Sequence, residues 1–125
     1  METFKINLID LQPSQIYICS DKLSTIEREM QKIDDNTFEP LPVKRIGSRI
    51  VLTDGHTRAF VAFRKGLKAV NTYWDTDELD WEAYEICIEW CLEEGIHSIT
   101  DFQKRIISFL IKHLIKRIYI LHITF

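Results

Sequence analysis

Between Arg49 and Gly66 the chain reads RIVLTDGHTRAFVAFRKG, and this stretch constrains the fold more than any other. RIVLTD is rich in β-branched residues and reads as a strand. After it, Ala59, Phe60, Ala62 and Phe63 recur at helical spacing, and Gly66 supplies a stop. The pattern predicts a helix from about Thr57 to Lys65 with those four residues on or near its buried face. A strand must therefore pass directly into a helix through Asp54, Gly55 and His56.

That junction gathers chemistry. The first amides of a helix have no intrahelical acceptor, and the helix dipole adds positive potential there. Gly55 permits a tight turn and the close approach of an anion. Arg58 in the first turn is a bidentate donor for phosphate or carboxylate, yet as a cation it opposes the dipole, so helix stability does not account for it. Thr57 offers a hydroxyl, and His56 can donate, accept or titrate near neutral pH. Singly, each residue has a plainer account: Asp54 as a cap, Gly55 as a turn, Arg58 as a surface partner of a carboxylate such as Asp54, His56 as a solvated or satisfied ring. Their concurrence at one turn favours an anion cradle suited to phosphate.

The rest of the chain frames this turn. FKINLID (Phe4 to Asp10) alternates like a strand, broken at Pro13. Ser20 reads as the N-cap of a helix carrying Leu23, Ile26, Met30 and Ile33. DDNTFEPLP reads as a loop, and VKRIGSRIVLTD as a hairpin turning at Gly47-Ser48. AVNTYW is a further strand, Asp80 to about Glu94 a helix, and Ile99 to about Lys116 another, with Thr100 and Gln103 at capping-box spacing. The predicted order is β, α, ββ, α, β, α, α, a mixed domain.

At 125 residues one domain is expected. The formal charge of −3 argues against holding duplex nucleic acid by electrostatics alone. Three cysteines do not make a disulfide framework, and no basic and apolar leader opens the chain, so a cytoplasmic protein is expected.

VLTDGHTRAFVAFRKG resembles the signature turn of the ParB/sulfiredoxin-like superfamily, nearest the ParB-like nuclease and free-serine-kinase branch. The resemblance spans roughly Ile6 to Trp74, and Asp54, Gly55, His56 and Arg58 match the branch's Asp-Gly-His-x-Arg pattern residue by residue. It implies an α+β fold: a small mixed sheet with packed helices over 6–75 and a C-terminal helical extension over 80–125. It also implies nucleotide binding (ATP, ADP or CTP) through Gly55, His56, Thr57 and Arg58, with Mg²⁺ at Asp54. Sulfiredoxin chemistry is excluded, because His56 stands where the nucleophilic cysteine is required. The kinases carry a glutamate as base where Gln15 aligns here, so a kinase on this turn would need Glu39 or Glu27 instead.

Other features read more plainly. Lys44 and Arg45 alternate on a strand, so only one can face the site. Cys87, Cys91 and His97 have the residue types of a metal site, but the two cysteines sit in a helical apolar stripe and read as core. DTDELDWE lacks the glycine and distal glutamate of a calcium loop and reads as a solvated helix start. The tail IISFLIKHLIKRIYILHITF is interrupted by Lys112, His113, Lys116 and Arg117, too often for a transmembrane span. It reads as a core helix with a strand-like end, with an amphipathic helix on a membrane or partner as the alternative. Two functions remain open: phosphoryl transfer to a small hydroxyl compound such as free serine, with Asp54, His56 and Glu39 as catalytic residues, or a non-catalytic nucleotide-sensing or DNA-associated module.

Overall fold

The computed structural model describes residues 2–32, 34 and 37–119, except the side chains of residues 116, 118 and 119. In chain order the strands are β1 (Phe4–Asn7), β2 (Leu11–Gln12), β3 (Ile18–Cys19), β4 (Leu41–Ile46), β5 (Arg49–Leu52), β6 (Ala69–Trp74) and β7 (Ile106–Ile107). The helices are α1 (Ser20–Glu29), α2 (His56–Arg64), α3 (Trp81–Glu93) and α4 (Phe109–Tyr119), and Leu8–Asp10 and Ile99–Lys104 form 3-10 turns. Five strands make one mixed sheet in the order β1-β6-β4-β5-β2, and β3 pairs with β7 in a second, two-stranded sheet. The hairpin of β4 and β5 is antiparallel and registers Val43 opposite Leu52 and Ile46 opposite Arg49, leaving Gly47-Ser48 as its turn. β4 and β6 run parallel, with Val43 level with Trp74.

The predicted face of α2 is the buried one. Ala59, Phe60 and Ala62 are inaccessible to solvent, and Phe63 is partly buried. The two alanines let the helix approach the layers beside it closely, since each presents only a methyl group. One hydrophobic cluster gathers Leu8 and Leu11, Leu41 and Val43 of β4, Leu52, Phe60, and Cys91, Ile96, Ile99 and Phe102 from beyond residue 80. Phe60 meets Phe102 edge to face, with ring centroids 6.2 Å apart. The segment after residue 80 thus shares a core with the sheet.

Several local expectations give way to tertiary pairing. The opening strand stops at Asn7 and passes through a 3-10 turn, because Leu11 and Gln12 leave it to pair in parallel with Ile50 and Val51. Ser20 is the first residue of α1, not its cap; Cys19 precedes it in extended conformation and makes no capping bond. Ile33 lies outside the described residues. Pro42, expected in a loop, sits in β4, where its carbonyl accepts from the Thr53 amide at 3.1 Å. The single helix expected from Ile99 is three elements: a 3-10 turn, β7 and α4. Ile99 and Phe102 are both fully buried at a spacing of three, which the 3-10 period satisfies. The capping box belongs to Ser98 and Asp101, not Thr100 and Gln103. Nor is α4 a core helix: Leu110 is 77% exposed. Among the described residues no helix is long and apolar enough to cross a membrane.

Candidate functional site

Thr53, Asp54 and Gly55 carry the chain from β5 into α2. Gly55 has φ 79° and ψ 26°, the left-handed region that side-chain-bearing residues avoid. A Cβ there would lie 2.6 Å from Leu41 Cδ2 and 3.0 Å from Arg58 Nη2, so any side chain would also displace the ends of those two residues. Among the described residues no side chain caps α2. Its first backbone bond is the Ala59 N–H to the Gly55 carbonyl at 2.9 Å. Asp54, the expected cap, turns back instead: its Oδ1 accepts from the Gly55 N–H at 2.8 Å. The amides of the first turn therefore keep the unfilled hydrogen-bonding capacity of a helix start.

The inner wall of the turn is His56. It is 4% exposed, and its Nε2 accepts from the Ser14 amide at 2.9 Å. An amide can only donate, so the ring carries its proton on Nδ1. Ser14 Oγ donates to the Leu52 carbonyl at 2.7 Å, tying the loop after Pro13 to the end of β5. The ring lies edge to face against Phe102, with centroids 6.1 Å apart. Burial, then the charge of Lys22, pushes its pKa down to about 3, so the imidazole is neutral near pH 7. Thr57 is also enclosed: its hydroxyl has no partner among the described residues and does not reach solvent.

The outer lip is charged. Asp54 and Glu39 are exposed, and Arg58 lies between buried and exposed. Arg58 Nη1 donates to the Glu39 carbonyl at 3.3 Å, and the guanidinium sits 5.9 Å from the Phe38 ring centroid. Arg58 therefore arches over Gly55 toward the Phe38-Glu39 segment.

Behind the turn is a clasp that sequence reasoning missed. Thr53 Oγ1 donates to Asp75 Oδ2 at 2.6 Å, and Tyr84 Oη donates to the Thr53 carbonyl at 3.1 Å. Asp75 is buried, and its other oxygen accepts from the Asp77 amide at 2.9 Å. Burial first, then the charges of Asp75 and Asp54, raise the Tyr84 phenol above its ordinary range. β6, β4 and β5 are adjacent, so Asp75 at the end of β6 and Thr53 at the end of β5 flank the same edge.

The remaining candidates lie elsewhere. Gln15 is buried and its side-chain amide donates to the Tyr17 carbonyl at 2.9 Å. Glu27 pairs with Arg64 at 3.1 Å, at the far end of α2, about 12 Å along the helix from His56. Lys44 and Arg45 sit over the rings of Trp81 and Trp74, at 4.9 and 5.8 Å. Cys91 is fully buried, and burial first, with Cys87 adding, raises its thiol to about 12, as befits a core residue. Among the described residues no three His, Cys, Asp or Glu side chains gather as a metal site. A hollow of about 480 Å³ lies between Leu8, Ile9, Phe63 and Leu67, but it is apolar and remote from the turn.

No protein-family model matches the chain, and no curated protein matches it. It is similar to protein Atu1540 from Agrobacterium tumefaciens, with a TM-score of 0.51 and 17% identity, covering 77% of this chain and 50% of that one. It is similar to sulfiredoxin from Arabidopsis thaliana, with a TM-score of 0.51 and 11% identity, covering 70% of this chain and 97% of that one. The C-terminally truncated chromosome-partitioning protein ParB from Caulobacter crescentus, complexed with CTP-γ-S, reaches a TM-score of 0.49 and 17% identity, covering 74% of this chain and 54% of that one; at that score it carries no weight. The chain spans about half the length of the Agrobacterium and Caulobacter proteins. At these identities the likeness establishes the fold alone, a sulfiredoxin-like mixed sheet with packed helices.

Proposed function

We propose that the Gly55 turn is a nucleotide-binding site that holds phosphate groups. The uncapped start of α2 carries this reading: a left-handed glycine, first-turn amides without a side-chain cap, and the Arg58 guanidinium arched above them. Phosphate oxygens would accept from those amides, with the helix dipole and Arg58 supplying positive potential. His56 is then a positioning residue. Neutral and bonded to Ser14, it fixes the start of α2 and brings no charge to the ligand. Thr57, enclosed, would act through packing unless the turn rearranges. Calorimetry against ATP, ADP and CTP, each with and without Mg²⁺, tests the proposal. Saturable binding of at least one nucleotide is expected; silence from all three overturns it.

A second reading, phosphoryl transfer to a small hydroxyl compound such as free serine, draws on the two exposed carboxylates at the lip, Asp54 and Glu39. Mg²⁺ is commonly held by one or two carboxylates together with substrate phosphates, and Asp54 fits that role. Glu39 is the nearer candidate base, since Glu27 pairs with Arg64 at the far end of α2. Here Asp54→Asn would keep the fold and lower turnover on the order of a hundredfold or more, followed by ³¹P NMR with ATP and serine. Nucleotide binding without turnover in the wild type rejects this reading and leaves the binding module.

A further inference from the structure

The charge of this chain is divided unevenly. All nineteen Asp and Glu residues lie at or before Asp101, with eleven of the sixteen Lys and Arg, giving residues 1–101 a net charge of −8. Residues 102–125 hold Lys104, Arg105, Lys112, Lys116 and Arg117 and no acid, a net of +5. α4 lies in this basic segment, and three of its apolar side chains are left in the open: Leu110, Leu114 and Ile111 are 77%, 52% and 43% exposed. Leu110 and Leu114 are four residues apart, and so are Ile111 and Ile115, which sets them along one side of the helix. His113 stands three residues from Leu110 and Arg117 three from Leu114, so this pair borders the apolar strip. Phe109 opens the helix half exposed, its ring edge to face with His113 at 4.2 Å.

We propose that α4 is an interfacial helix that docks on an anionic lipid surface. Leu110, Ile111 and Leu114 would enter the boundary between headgroups and acyl chains, and the flanking cations would meet the lipid phosphates and carboxylates. The absence of any acid after Asp101 leaves nothing in this segment for such a surface to repel. Lys and Arg stems reach past an apolar strip to place their charges at headgroup level. At eleven residues α4 is about 16 Å long, enough to lie in the interface and too short to cross it. A second copy of the chain is the poorer occupant, because pairing two α4 helices through their apolar strips would set flanking side chains of like positive charge against each other, without the opposite charges that register helix pairs. The negative charge of the rest of the molecule opposes approach only over a Debye length of about 8 Å.

The test is co-sedimentation of the full chain with vesicles of phosphatidylcholine alone or mixed with phosphatidylserine. The protein should pellet with the mixed vesicles, stay in solution with phosphatidylcholine, and be released as salt is raised. Leu110→Gln/Leu114→Gln and Lys112→Gln/Arg117→Gln should each weaken binding roughly tenfold or more. Both double variants should keep the wild-type melting temperature, since the replaced side chains do not build the core. Absence of binding to mixed vesicles, equal binding to both vesicle types, or full binding by the leucine variant overturns the proposal. So does a fall in melting temperature, which would assign the leucines to the fold. Concentration-dependent dimers in the ultracentrifuge, lost in the leucine variant and formed while vesicles remain inert, would overturn it in favour of a second copy. Binding to poly-glutamate with inert vesicles would overturn it in favour of an acidic protein.

Discussion

Helices α2 and α3 begin in opposite ways. α3 is closed by its own chain: Asp80 accepts from the Ala83 amide at 3.1 Å, and Glu82 adds a negative charge to the first turn. The 3-10 turn after Ser98 is closed too, with Asp101 accepting from the His97 and Ser98 amides. α2 has a left-handed glycine where α3 has an aspartate, no acid in its first turn, and Arg58 there instead. An acid at a helix start stabilises it and a cation does not. α1 also lacks a side-chain cap, but Asp21 stands in its first turn; α2 combines an uncapped start with a first-turn guanidinium. The wall behind the uncapped start is buried and uncharged, His56 on Ser14, while its lip is charged and solvated.

The comparison can be broken most severely at the wall. His56→Ala removes the acceptor of the buried Ser14 amide and the ring packed on Phe102, and should destabilise by about 2–4 kcal/mol in urea denaturation. The same residue imposes a pH dependence. Its folded pKa of about 3 lies below the ordinary 6.5, so between those values the unfolded chain binds a proton that the folded one refuses. Its contribution is full above about 6.5, declines by about 1.4 kcal/mol per pH unit as pH falls, and levels off below about 3. His56→Ala should lack this slope; a wild-type slope in the variant would place the ring at the lip, not in the wall.

Next in size is Gly55→Ala, which forces a methyl group toward Leu41 and Arg58 at a positive φ. A loss of about 1–3 kcal/mol is expected in thermal melts, together with weakened nucleotide binding. Arg58→Ala should act on the ligand rather than the fold, weakening nucleotide affinity by about 1.5–3 kcal/mol with a nearly unchanged melting temperature. Asp80→Ala gives the smallest change and the sharpest contrast. It should cost about 1 kcal/mol of stability, the scale of a lost cap, and leave nucleotide affinity unchanged in calorimetry.

Much of the scaffold was legible because its signals are local. The Gly47-Ser48 hairpin, the face of α2, β6 and the Asp80-capped α3 all follow from spacing and turn chemistry. β2, β3 and β7 are two residues each, too short to carry a period, and exist only because a partner strand meets them. At the site, the turn itself was legible and the burial of its histidine was overlooked. The signal was present: His56 stands four residues before Phe60 and Thr57 four before Val61, so both continue the buried face of α2. Asp75 was hidden among the acids of DTDELDWE, where solvation is the ordinary expectation; its placement beside Thr53 depends on the order of β6, β4 and β5. The exposure of α4 was not legible, since an apolar stripe reads the same whether or not something covers it.

The most direct test of the uncapped start of α2 is an amide-resolved NMR titration of the ¹⁵N-labelled protein with ATP, ADP and CTP in turn. The account predicts saturable shifts concentrated on the amides of His56, Thr57 and Arg58, with the matching first-turn amides of α3, Trp81, Glu82 and Ala83, unmoved. Shifts absent from residues 56–58 with every nucleotide, or equal at both helix starts, would contradict it.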